Sequence, residues 1–173
     1  MPARPPARPG AQRRTAFIAL GSNIEPEENL PRAARALQRL GKAQSVSKVY
    51  ESEAVGPAGQ PRFLNAVVGI EVDLDADALR KRLREIEAEM GRVRTADPYA
   101  TRPIDLDLVA LDAFLDPEVG GRAYLAVTLA EVAPDLVLGD SGETVAERAD
   151  RLRATTLKRR DDIDLTRAIK GIR

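Results

Sequence analysis

The ordered part of this chain opens on an unbroken apolar run. Ala16-Phe17-Ile18-Ala19-Leu20 has no polar position, consistent with a central buried strand. Gly21-Ser22-Asn23 then reads as a turn. Leu30, Ala33, Ala34, Leu37 and Leu40 fall on one face of a helix, which Gly41 stops. Residues 44–51, QSVSKVYE, predict a second strand. The stretch SEAVGPAGQPR is a loop punctuated by Gly56-Pro57 and Gln60-Pro61. Residues 63–74 predict a third, long strand. Leu79, Leu83, Ile86 and Met90, spaced four, three and four apart, mark the apolar face of a second helix. Asp75 or Asp77 stands where a cap belongs, and Gly91 ends the helix. Residues 92–103 have no apolar period and predict an exposed loop. Residues 104–111, IDLDLVAL, predict a fourth strand. Thr128 with Glu131, and Thr144 with Glu147, have capping-box spacing. They predict two short helices, one ended by Pro134 and one running to about Arg153.

The order β-α-β-β-α-β is that of the split βαβ unit. It predicts an α+β, ferredoxin-like fold: one antiparallel sheet with two helices on one face, plus short C-terminal helices. A chain of 173 residues suits about one domain, which we place at 15–155. Residues 1–14, rich in Pro and Arg, predict a disordered basic arm. Residues 156–173, with Lys158-Arg159-Arg160, predict a polar C-terminal tail. No apolar stretch approaches the roughly 20 residues of a membrane span, and the N-terminus has no apolar h-region. We therefore expect a cytoplasmic protein that does not bind membranes.

Composition narrows the chemistry further. The chain has 0 Cys and 0 His. Thiolate nucleophiles, Ser-His-Asp triads, imidazole acid–base catalysis and His or Cys metal sites are excluded. Any metal must be held by oxygen, which favours Mg²⁺, Mn²⁺ or Ca²⁺. With 27 Lys+Arg against 27 Asp+Glu, the net charge is zero, which argues against a nucleic-acid binder.

The densest chemistry lies between Arg92 and Leu108. On a strand, residues i and i+2 share a face, so Asp105 and Asp107 project together while Ile104, Leu106 and Leu108 enter the core. Two adjacent carboxylates repel each other unless a cation sits between them. Mg²⁺ suits that position, since it binds one or two carboxylates together with substrate phosphates. Arg92, Arg94 and Arg102 supply guanidinium forks for phosphate oxygens. Together these groups point to phosphoryl-type transfer. Spacing alone is weak evidence: Asp75/Asp77 and Asp162/Asp164 repeat it, the first as a helix cap and the second in the tail.

Six segments make the picture specific: AFIALGSN at 16–23, VYESEAVG at 49–56, QPRFLNAV at 60–67, IEAEMGRVR at 86–94, RPIDLDLVAL at 102–111 and LAEVAPDL at 129–136. In this order the chain resembles the 6-hydroxymethyl-7,8-dihydropterin pyrophosphokinases of folate biosynthesis over residues 15–138. The resemblance implies Mg²⁺-dependent transfer of pyrophosphate from ATP to the hydroxymethyl group of the pterin, releasing AMP. It implies that Asp105 and Asp107 bind two Mg²⁺ ions, and that Arg92, Arg94 and Arg102 hold phosphates and act catalytically. Glu87 would lie on the ATP side; Arg122, by its own position two residues before Tyr124, is a further candidate to reach the phosphates. Asn65 would meet the pterin edge with both amide donor and acceptor, Phe63 and Tyr124 would sandwich its ring, and Ser52 would stand beside it. Tyr99 matches an aromatic in a mobile loop that closes over the site. The expected partners are ATP and a reduced pterin, with no nucleic acid, and the expected state is a monomer.

The chain also departs from the family. A Pro-His segment whose His contacts ATP is shortened here to residues 113–123, without His. Gly-Pro-Arg becomes Ala100-Thr101-Arg102, and the Thr-Pro of the pterin loop becomes Ser52-Glu53-Ala54. These changes imply weaker nucleotide binding. They also leave an alternative of another class: a catalytically silent relative that binds a pterin or nucleotide.

Overall fold

A computed structural model describes residues 13–153 and 157–170. Most of the expected N-terminal arm, residues 1–12, lies outside the described residues, and Arg14 already belongs to the first strand.

Strand β1 (Arg14–Ser22) is central. It pairs antiparallel with β4 (Phe63–Val72) on one side and with β5 (Asp105–Leu111) on the other. The edge beyond β4 is shared by β2 (Lys42–Val46) and β3 (Tyr50–Ser52). Two short strands complete the sheet: β6 (Phe114–Leu115) beside β5 and β7 (Lys158–Arg159) beside β3. The order β6-β5-β1-β4-β3-β7 contains the ferredoxin-like arrangement expected from the element order.

Helices cover both faces. The β1 residues Ile18 and Leu20 pack on α1 (Pro26–Leu37) and α2 (Ala76–Glu89) through Leu30, Leu37, Leu79 and Leu83, all buried. The intervening Ala19, with Val67 and Val109, faces α3 (Ala123–Ala130) and α4 (Val145–Leu152). The continuous apolar run in β1 is thus explained by burial on both sides. Asp75 caps α2 by accepting a 2.8 Å hydrogen bond from the Ala78 N–H. Thr144 and Glu147 form the expected capping box of α4. Among the described residues, no helix is long and apolar enough to cross a membrane.

Four expectations need correction. The predicted second strand is two strands, interrupted at residues 47–49. There Ser47 Oγ accepts from the Val67 N–H at 2.9 Å, so a hydroxyl replaces a ladder carbonyl at the break. The first helix ends at Leu37, and Leu40 follows in a turn. Thr128 does not open a helix: it lies near the end of α3, and its hydroxyl donates back to the Tyr124 carbonyl at 2.6 Å. Glu131, at the end of that helix, accepts from the Lys48 N–H instead. Finally, the described part of the expected polar tail, residues 157–170, is folded. Lys158–Arg159 forms a strand, and Leu165 and Ile169 are buried in the core beside α1.

Candidate active site

The register of the central strands assembles the site. In adjacent strands Asp105 stands opposite Gly21, Gly21 opposite Asn65, and Asn65 opposite Tyr50. One step along, Asp107 is opposite Ala19. The small residues Gly21 and Ala19 therefore floor a cleft with two carboxylates on one side and an amide on the other. The cleft has a volume of about 390 Å³. Ser52, Phe63, Asn65, Arg102, Asp105, Asp107, Arg122 and Tyr124 all line it, as does Tyr99 at its mouth. Sequence reading missed Gly21 and Ala19. Their signal is the loss of bulk on alternate positions of β1 towards its C-terminal end.

Asn65 is 5% exposed, and its neighbours fix its orientation. Nδ2 donates to the Tyr50 carbonyl at 3.1 Å and to Ser52 Oγ at 2.8 Å. A carbonyl can only accept, so the nitrogen must lie there. Both amide donors are spent within the protein. With both donors engaged, its carbonyl oxygen is the group that faces a ligand N–H, where the resemblance implies donor and acceptor together. Ser52 accepts from Asn65 and keeps its own O–H to donate. Burial pushes the Tyr124 phenol up, so it stays neutral beside the cleft.

The carboxylates differ. Asp105 is held by two guanidinium groups: Arg92 Nη1 donates to Oδ1, and Arg102 Nη1 to Oδ2 at 3.1 Å. Asp107 is reached by water yet walled by protein. Desolvation first, then repulsion from Asp105 and Glu87, pushes its carboxyl up to about 7. Among the described residues there is no cluster of three or more acidic ligands. Two carboxylates fit Mg²⁺ all the same, because substrate phosphates and water commonly fill its other positions.

Behind the cleft lies Glu87, 2% exposed. Its carboxylate accepts from Arg92 Nη1 at 2.6 Å, Arg94 Nη2 at 2.9 Å and the Leu106 N–H at 2.8 Å. Burial pushes it up, while the Leu106 N–H and the two arginines oppose that. Glu87 thus fixes Arg92 against Asp105 and does not line the cleft. Arg102 is oriented by its own loop, donating to the Pro98 carbonyl at 2.7 Å and the Ala100 carbonyl at 3.2 Å. Its N–H donates to Asn23 Oδ1 at 2.8 Å. Arg122 pairs loosely with Glu118, at 3.5 Å.

Arg94 points away from the main cleft, into a second cavity of about 240 Å³ with Arg80, Arg84 and Phe114. The two cavities meet at Asp107 and Asp116. The Arg80 guanidinium lies 5.0 Å from the centre of the Phe114 ring. Sequence reading also missed the part-buried Tyr50–Glu131 bond of 2.5 Å. Burial first, and that bond second, push the Tyr50 phenol up to about 12.

The family model described as 7,8-dihydro-6-hydroxymethylpterin-pyrophosphokinase matches residues 17–134. The 2-amino-4-hydroxy-6-hydroxymethyldihydropteridine pyrophosphokinase of Pseudomonas aeruginosa is 38% identical over 72% of this chain and 83% of its own. The Haemophilus influenzae enzyme of the same name is 37% identical over 73% of this chain and 86% of its own. The fold is similar to Plasmodium falciparum HPPK-DHPS crystallised with pteroate, with a TM-score of 0.65 at 11% identity. That match covers 81% of this chain but 44% of the Plasmodium chain, so this chain spans less than half of its length.

Proposed function

Since the chain belongs to the 7,8-dihydro-6-hydroxymethylpterin pyrophosphokinase family, which moves pyrophosphate from ATP to a pterin, we propose that the cleft over Gly21 and Ala19 carries out that transfer. The observation that carries this reading is the row Asp105–Gly21–Asn65 across three adjacent strands. It sets a metal-binding edge against a ring-recognition edge on one floor.

On the recognition side, Phe63 and Tyr124 offer ring faces to the pterin, Asn65 Oδ1 accepts a ring N–H, and the Ser52 hydroxyl donates. On the other side, Asp105 and Asp107 would hold two Mg²⁺ ions. When bound, these neutralise phosphate charge and align the triphosphate. Arg92 and Arg102, brought to the metal edge by their ion pairs with Asp105, present their remaining N–H groups to phosphate oxygens. Arg122 reaches the same space from just before α3. The nucleotide extends towards the second cavity, where Arg80, Arg84, Arg94 and Phe114 stand beside Asp107. Glu87 positions Arg92 and Arg94 and makes no contact with ATP.

The pterin hydroxymethyl oxygen attacks the β-phosphorus of ATP. A new O–P bond forms, the bond between the β-phosphorus and the bridging oxygen breaks, AMP leaves, and the hydroxyl proton is released. The chain itself contributes alignment and charge stabilisation rather than covalent chemistry. The chain acts as a monomer. It works in the cytoplasm, where ATP is plentiful. Incubation with Mg²⁺, ATP and reduced 6-hydroxymethylpterin should release one AMP per pterin diphosphate. ADP as product, or AMP release independent of the pterin, would refute the reading.

A further inference from the structure

The recognition side of the cleft depends on a strand of three residues. Through the Tyr50 carbonyl and Ser52 Oγ, β3 holds both donors of Asn65. So short a strand takes its position from its neighbours. On one side it pairs with β4; on the other, Tyr50 stands opposite Arg159 and Glu51 opposite Lys158 of β7. The next residue extends the joint, as the Arg160 N–H donates to the Val49 carbonyl at 2.9 Å.

The Arg160 side chain turns this pairing into a clasp. Nη1 donates to Glu51 Oε2 at 3.1 Å and Nη2 to Glu27 Oε1 at 3.4 Å. Nε and Nη2 donate to the two oxygens of Asp162 at 2.9 and 2.8 Å. One guanidinium thus joins β3, α1 and the turn after β7. The Arg160 and Glu51 side chains are each 19% exposed, so water screens this pair less than a surface bridge. Farther along, Leu165 and Ile169 are buried in the core beside α1, anchoring the segment at its far end. Glu51 alternates with Tyr50 and Ser52, so it leaves the opposite face of β3. Arg160 therefore acts on the cleft from behind.

We propose that Arg160 is a positioning residue for the pterin subsite: it clamps β3 through Glu51 and so sets where Tyr50 and Ser52 hold Asn65. This rests on the reading of the cleft given above. Without the clasp, β3 keeps its main-chain pairing with β4 and β7 but loses the side-chain restraint that ties Glu51 to α1 and to the turn after β7. Asn65 then spends less time with its oxygen turned to the ligand, and pterin affinity falls. The carboxylates and arginines across Gly21 are untouched.

The test compares steady-state kinetics of wild type, Arg160→Ala, Arg160→Lys and Glu51→Gln in the full chain. Arg160→Ala and Glu51→Gln should each raise the KM for the pterin about three- to tenfold, the scale of one ordinary hydrogen bond. The KM for Mg²⁺-ATP and kcat should stay within about twofold. Arg160→Lys, which keeps the charge, should recover part of the loss. Amide hydrogen exchange should quicken at residues 50–52 in both charge-removing variants and stay unchanged in β1 and β5. An unchanged pterin KM in both variants, or equal rises for both substrates, overturns the proposal. Failure of the broader reading looks different: the wild-type enzyme itself would show no pterin-dependent turnover, while the exchange measurement would still report on the clasp.

Discussion

Arg92 Nη1 donates at 2.6 Å to a Glu87 carboxylate that is almost wholly buried, and the same nitrogen reaches Asp105. The guanidinium is therefore aimed before any phosphate arrives, and the carboxylate that aims it stays out of the cleft. Glu87→Ala should leave the Leu106 N–H unpaired in the interior and Arg92 with Asp105 as its one remaining carboxylate partner. Breaking such a pair costs about 3 kcal/mol, or roughly 6–12 °C in Tm. Glu87→Gln, which keeps the Leu106 contact, should lose much less stability and yet lower kcat. Thermal melts and steady-state rates of the two variants check this; equal stability losses would contradict it.

Asn65→Ala should weaken pterin binding by about 1–3 kcal/mol, since it removes the acceptor and unfastens Ser52. Mg²⁺-ATP binding should hardly change. Asn65→Asp is the sharper probe, because it places an oxygen against the Tyr50 carbonyl where Nδ2 now donates. It should be less stable than Asn65→Ala despite its closer shape. Calorimetric titrations with each substrate, together with melting curves, measure both effects.

Arg122 lines the cleft, and its 3.5 Å pairing with Glu118 leaves it able to turn to a phosphate. Losing a hydrogen bond to a charged group costs about 1.5–3 kcal/mol. Arg122→Ala should therefore weaken Mg²⁺-ATP binding by roughly ten- to a hundredfold and spare the pterin. A nucleotide titration in which this variant matches wild type would remove Arg122 from the phosphate site.

The raised carboxyl of Asp107 has a consequence for stability without metal. An acid whose folded pKa lies above its unfolded value, here about 7 against about 4, binds its proton more tightly when folded. Folding is then favoured at low pH, and that advantage is lost as pH rises from about 4 to 7. Asp107→Asn should melt above wild type in chelator at pH 8, with the gap closing at pH 5. Melts at the two pH values with and without Mg²⁺ test this; a gap that does not depend on pH would contradict it.

Much of this architecture is legible in residue order. The period-two alternation of 104–111 suffices to put Asp105 and Asp107 on one face, because that strand is buried beneath. The apolar face of α2 is equally plain. Thr128 misleads because a Thr and a Glu three apart have capping-box spacing wherever they fall; here α3 has already begun. The C-terminal segment misleads for the opposite reason. Its buried residues, Leu165, Ala168 and Ile169, are too few and too close to charges to show a period. Nor does local pattern reveal that Asn65 spends its donors on β3, since that follows from strand register. The row from Asp105 through Gly21 to Asn65 likewise exists only once three distant strands have paired.

The central claim is that the Asp105/Asp107 edge holds the metal for pyrophosphoryl transfer. Its most direct test is AMP release at saturating Mg²⁺-ATP and reduced 6-hydroxymethylpterin by wild type, Asp105→Asn and Asp107→Asn. Each amide keeps the carboxylate's shape and removes its charge, so both variants should fold. Each should lose at least about a hundredfold in rate, the scale of removing a principal electrostatic element from an active site. AMP release within a few-fold of wild type in either folded variant would contradict the assignment of that carboxylate to the metal.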